Sequence, residues 1–177
     1  MFAFLKITLD KTRKQCANIE HLPRSFFLYK RYEKYLHDDY TPPKDFKSYL
    51  KFIEENEFFW IIIERTTGDF AGFVYLDNFT GGCGKLHSAE ITTCFEQKFW
   101  GEKTYICAME FFDYAFKTFG FYKIKAEIYP QNFRVKTLLK KCGFICECTL
   151  KNETLRLGKP QDIELYSLIN EKKCEEK

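Results

Sequence analysis

The chain has 177 residues, 45% hydrophobic and 30% charged, with a formal net charge of +3. That length suits one domain, expected over residues 1–170, with a charged, frayed tail over residues 171–177. So small a positive balance makes no case for a nucleic-acid partner. No run of about 18 apolar residues is present, so no membrane span is expected. Residues 1–10 lack the charge layout of a signal peptide, and a cytoplasmic location follows as the expectation.

Twenty of the residues are Phe, which predicts an aromatic-rich core. The eight cysteines contain no Cys-x-x-Cys pair, and Cys142, Cys146 and Cys148 are their only cluster. A structural zinc site takes two ligand pairs as a rule. No metal is therefore expected, and the cysteines read as small apolar residues in a reducing compartment.

Taken in order, Phe2, Phe4, Ile7 and Leu9 alternate as in a first strand. Residues 23–36 read as a helix carrying Phe26, Phe27, Tyr29, Tyr32 and Tyr35, broken by Thr41-Pro42-Pro43. Residues 44–56 form a second helix with Phe46, Tyr49, Leu50 and Ile53 on one face. The apolar run at 58–65 predicts a strand buried on both faces. A turn at Thr66-Thr67-Gly68-Asp69 joins it to a strand at 70–79 as a hairpin. Gly81-Gly82-Cys83-Gly84 reads as a flexible loop, 86–95 as a strand and 104–119 as a long helix ending near Gly120. A strand at 122–129 stops at Pro130. Next comes a short basic helix that opens on an Asn132 cap and closes on Gly143, which suits a left-handed residue past the helix end. Strands at 144–150 and 162–169 complete the chain. The order β, α, α, β, β, β, α, β, α, β, β argues for a mixed sheet with helices on its faces, an α/β class.

Two stretches carry a resemblance. The Gln131-Asn132 opening, the basic helix and the Cys142-Gly143-Phe144 ending resemble the last third of the GNAT superfamily of N-acetyltransferases. Ala89-Glu90-Ile91, running into Trp100-Gly101-Glu102-Lys103-Thr104-Tyr105 and a helix, resembles the ribosomal-protein N-acetyltransferase-like branch, where the loop reads Trp-Gly-x-Gly-Tyr. The element order is similar to the GNAT fold over nearly the whole chain. That fold is a mostly antiparallel sheet with a central, splayed parallel pair and helices on both faces.

The resemblance implies acetyl-CoA as cosubstrate. Loop amides and the helix N-terminus at Lys98, Trp100, Gly101, Glu102, Lys103, Thr104 and Tyr105 are then expected to hold the pyrophosphate, as anions favour such a site. The backbone of Thr93, Cys94 and Phe95 is expected to pair with the pantetheine arm as a neighbouring strand would. Asn132 is expected near the thioester as well as at the helix cap. Glu90 is the expected general base, and a backbone amide near Cys94 the oxyanion donor. Lys103 stands where a second Gly or an Ala is usual, and Leu139 where many members carry a Tyr acid. His21, His37 and His87 have no ligand-spaced or triad-spaced partner and read as structural or surface residues.

The expected activity is acetyl transfer to a primary amine by direct attack in a ternary complex. The acceptor is a small molecule or a peptide: a protein N-terminus, a polyamine, an amino sugar or an antibiotic. The fold class also allows a homodimer. The alternative is a non-catalytic protein on the same scaffold that binds acyl-CoA or a protein partner, for which exposed Phe26, Phe27, Tyr29 and Tyr32 would serve. A nucleotide-binding domain is disfavoured by the lack of both glycine-rich phosphate motifs.

Overall fold

A computed structural model describes residues 1–9, 17–36, 39, 43–82 and 85–170. Thr41, Pro42, Cys83, Gly84, His37, Cys16 and the charged tail with Cys174 lie outside the described residues. The strands are β1 (Phe2–Lys6), β2 (Phe59–Glu64), β3 (Phe70–Gly82), β4 (Lys85–Phe95), β5 (Lys123–Ile128), β6 (Ile145–Arg156) and β7 (Lys159–Ile169). The helices are α1 (Leu22–Leu36), α2 (Phe46–Glu55), α3 (Glu102–Phe119) and α4 (Phe133–Lys141), with short 3-10 turns at Ile19–His21 and Gln97–Phe99. The strands form one mostly antiparallel sheet in the order β1-β2-β3-β4-β5-β7-β6. Its parallel pair is β4 with β5, a pairing that needs a crossover connection, here α3. This is the α/β class that the element order predicts.

By contacts the chain falls into two compact units, Met1–Leu76 with Thr92–Trp100, and Asp77–Ile91 with Gly101–Lys177. In the first unit, Phe59, Trp60, Ile61 and Ile62 are all buried, as the predicted double-faced strand requires. β2 lies between β1 and β3, with Leu5 opposite Ile61 and Phe59 opposite Tyr75. The core is aromatic, as composition predicts. The Tyr49 ring sits 5.2 Å from that of Tyr29 and 6.4 Å from that of Phe59. The buried Tyr49 hydroxyl donates to Ser25 Oγ at 3.1 Å, and Ser25 Oγ donates to the Leu22 carbonyl at 2.9 Å. This chain satisfies two polar groups that burial would otherwise leave at a cost. Tyr29 is itself interior, which removes it from the exposed aromatic set expected on α1; Phe27 is exposed. Asp45 starts α2 through a capping box, since its carboxylate accepts from the Ser48 amide at 2.7 Å while Ser48 Oγ accepts from the Asp45 amide at 3.0 Å.

In the second unit, both predicted helix ends hold. Gly120 and Gly143 are left-handed, at φ 65 and 90. The rings of Phe112 and Phe144 lie 5.2 Å apart, packing α3 against the start of β6. Three boundaries move. β3 continues through Gly81 and Gly82, where a loop was expected. α3 begins at Glu102 rather than at residue 104. The last two strands form one long hairpin, because β6 runs to Arg156 and β7 starts at Lys159. Leu157 and Gly158 turn it, both at positive φ. The cysteines divide. Cys94, Cys107 and Cys142 are buried, as read, but Cys146 and Cys148 are exposed. β6 is an edge strand, and most of its residues face solvent. A register shift at Glu147 sets Cys146 opposite Tyr166 and Cys148 opposite Leu165, so the two point to opposite faces.

Candidate active site

β4 is the strand on which the expected chemistry rests. In the parallel ladder Ser88, Ala89 and Glu90 pair with Lys123, Ile124 and Lys125. That ladder stops at Glu90, although β4 runs on to Phe95 and β5 to Ile128. Past that point β5 goes on pairing with β7, with Ala126 opposite Tyr166 and Ile128 opposite Glu164. Glu90 is partly buried, and its Oε2 accepts from Asn78 Nδ2 at 2.9 Å. The residue before Asn78 is Asp77, which sequence reading passed over. One oxygen of its carboxylate is buried with no hydrogen-bond partner. Desolvation, then the charges of Glu90 and Glu127, push its pKa up to about 6. Desolvation and Glu90 also raise that of Glu127, while Lys125 opposes both shifts. Three carboxylates thus share one region of the second unit. The signal in the sequence was slight: a lone Asp directly after the buried run from Phe70 to Leu76.

The raised pKa of Asp77 has a consequence for stability. A carboxyl that holds its proton more tightly when folded stabilises the fold at low pH, and this contribution is lost as pH rises from about 4 through about 6. Asp77→Asn should therefore gain stability relative to the wild type above pH about 6, by roughly 1 kcal/mol after allowance for solvent screening. The difference should close below pH about 4. Chemical denaturation across that range checks it; a constant difference would contradict it.

Thr93 is exposed on β4, whereas Cys94 and Phe95 are buried. Burial pushes the Cys94 thiol far above its ordinary value, which removes it as a nucleophile. A close approach fixes the backbone there. A Cβ built on Gly72 of β3 would lie 2.1 Å from the Cys94 carbonyl oxygen.

The loop after β4 begins with the Glu96 amide donating a hydrogen bond to the Ala71 carbonyl at 2.9 Å. Lys98 pairs with Asp69 Oδ2, and its ammonium lies 5.0 Å from the Phe99 ring centroid. Trp100 has a packing role: its indole N–H donates to the Phe95 carbonyl at 3.1 Å, and its ring is 5.8 Å from that of Tyr32. Gly101 follows at φ 85, a left-handed angle that suits Gly, and offers no side chain to cap α3. A Cβ there would meet nothing within 4 Å. Glu102 and Lys103 are exposed and Thr104 is buried. The Tyr105 amide donates to the Gly101 carbonyl at 3.1 Å, closing the first turn of α3. Open space over a left-handed glycine, at the positive end of an 18-residue helix, fits a pyrophosphate. Lys103 does not fill the space at Gly101. The charge that opposes an anion here is Glu102.

On α4, Asn132 Oδ1 accepts from the Val135 amide at 3.5 Å, a long cap, and the Asn132 amide donates to the Tyr129 carbonyl at 2.9 Å. Lys136 is tied to Glu164 Oε1 at 2.8 Å. Leu139 is buried, so its position lies in the core. His87 stacks on Tyr122 at 5.1 Å and His21 on Phe70 at 6.4 Å. Among the described residues no group of three or more His, Cys, Asp or Glu is arranged to hold a metal ion. Nor is any helix there long and apolar enough to cross a membrane.

The profile of the acetyltransferase (GNAT) domain matches residues 17–145. The chain belongs to the GNAT acetyltransferase family. No curated protein matches its sequence. Solved structures share its fold. The spermidine N-acetyltransferase from Vibrio cholerae, in complex with CoA and spermine, is 19% identical with a TM-score of 0.73, covering 97% of this chain and 96% of that one. A GNAT-family acetyltransferase from Bacillus anthracis is 16% identical with a TM-score of 0.72, covering 96% and 95%. The ribosomal-protein-S5-alanine acetyltransferase from Vibrio fischeri is 18% identical with a TM-score of 0.68, covering 84% and 86%. The GNAT match includes β4, the Gly101 loop, α3 and α4, so the elements expected to bind and react belong to the family domain.

Proposed function

We propose that residues 1–170 act as one acetyltransferase domain that moves an acetyl group from acetyl-CoA to a primary amine. The observation that carries this is the junction at Gly101, where an open, left-handed glycine leads into the long helix α3 within the matched GNAT region. Acetyl-CoA would supply the acetyl group as a thioester. The loop from Lys98 to Tyr105 and the first amides of α3 would hold its pyrophosphate. The β4 backbone at Thr93, Cys94 and Phe95 would pair with its pantetheine arm as a neighbouring strand would.

The acceptor amine is an ammonium at neutral pH and has to lose a proton before it attacks. Glu90 takes that proton, directly or through one water. Asn132 orients the arm or a water near the thioester. A backbone amide near Cys94 meets the negative charge that grows on the carbonyl oxygen. Positioning does the rest, since Leu139 offers no acid for the leaving thiolate. The reaction is a direct attack with no acyl-enzyme, consistent with the buried Cys94 thiol.

Acceptor-dependent release of CoA thiol tests this reading. A panel of polyamines, amino sugars, aminoglycosides and peptides with free N-termini is incubated with acetyl-CoA and the protein. Release above the no-acceptor rate with one class supports the reading. Tight binding of acetyl-CoA with no release from any class would favour the acyl-CoA-binding alternative.

A further inference from the structure

The first turn of α3 holds a charge that works against its expected ligand. Glu102 opens the helix. A carboxylate there suits the helix dipole, but it repels an incoming phosphate at the same helix end. Lys141, from the last turn of α4, reaches this carboxylate. Its ammonium donates to Glu102 Oε2 at 2.6 Å and lies 4.0 Å from the centroid of the Tyr105 ring. The side chains are 49% and 67% exposed, and a pair so open to water adds little to stability. Its placement has another use. Glu102 and Tyr105 both belong to the turn that follows Gly101, so the ammonium is held by two groups of the same turn.

We propose that Lys141 is a positioning residue of the cofactor site, cancelling the charge of Glu102 so that the start of α3 stays attractive to the phosphates of CoA. Lys141 thereby couples the end of α4 to the phosphate loop, though it stands far from the expected chemistry at Glu90 in sequence. The Tyr105 ring holds the ammonium against the carboxylate through its negative face. This inference rests on the reading that the Gly101 loop takes the pyrophosphate. It adds a requirement that a glycine and a helix end alone do not impose.

The test is a cycle of Lys141→Met, Glu102→Gln and the double variant. Methionine keeps an unbranched apolar stem against the Tyr105 ring while losing the charge. Melting curves establish that each variant is folded. Steady-state kinetics with acetyl-CoA varied at saturating acceptor give KM and kcat, and titration gives Kd.

Lys141→Met should raise KM and Kd for acetyl-CoA about fivefold to tenfold, as expected for an uncancelled charge near a phosphate. Its kcat should stay within about twofold, because the chemical step is elsewhere. The double variant should return KM and Kd to near the wild-type values, since no charge then needs cancelling. An unchanged Kd in Lys141→Met would overturn the proposal. So would a loss that persists in the Glu102→Gln background, which would make Lys141 a direct phosphate ligand instead. Failure of the wild type to bind acetyl-CoA is a different result: it removes the reading of the Gly101 loop, and this inference with it.

Discussion

Glu90→Gln is expected to lower kcat/KM for acetyl transfer about a hundredfold or more, the usual scale for a lost general base. Affinity for acetyl-CoA should stay within about twofold, because the expected phosphate and pantetheine contacts lie on the loop and on the β4 backbone. The substitution is mild for the fold. Gln retains a carbonyl oxygen that can accept from Asn78 Nδ2, as Glu90 Oε2 does at 2.9 Å. A folded variant that binds acetyl-CoA but does not transfer it would thus isolate the proton-transfer step. Retained activity would move the base elsewhere. Asp77 is then the first residue to test, since its carboxyl has a buried oxygen without a partner and a pKa pushed up to about 6.

Gly72→Ala should destabilise the protein by about 3 kcal/mol, the scale of a forced overpacking. The melting temperature should then fall by roughly 9 °C for a chain of this size. The added Cβ would lie 2.1 Å from the Cys94 carbonyl oxygen and 3.0 Å from both the Cys94 carbonyl carbon and the Phe95 Cα. All three are backbone atoms of β4, so no side chain can swing aside. The strand would have to move at Cys94 and Phe95, where the pantetheine arm is expected to pair. A loss of acetyl-CoA affinity should therefore accompany the loss of stability. Thermal melting followed by titration separates the two, and a melting temperature within about 2 °C of the wild type would contradict the close approach.

Much of the fold could be read from local signals. Gly120 and Gly143 marked helix ends because a left-handed residue after a helix favours glycine. The Phe-Trp-Ile-Ile-Ile run marked a buried strand. The hairpin of β6 and β7 was only half legible. Its residues from Lys151 to Asp162 lie on an exposed edge and carry no alternation of apolar and polar side chains. Cys146 and Cys148 were misread for the same reason, since edge position is a property of strand order rather than of sequence. For the candidate site, the resemblance pointed to Glu90, Gly101 and Asn132. The settings of Asp77 and Lys141 stayed hidden, because the fold creates them: burial and the charges of Glu90 and Glu127 act on Asp77, and Glu102 pairs with Lys141.

The Gly101 loop and the start of α3 are expected to hold acetyl-CoA. Isothermal titration of the wild-type protein with acetyl-CoA, with CoA and ATP as controls, tests it most directly. Acetyl-CoA and CoA should bind at micromolar strength, and ATP should not bind. No heat from acetyl-CoA with the folded protein would contradict it, and would leave a GNAT scaffold without its cosubstrate.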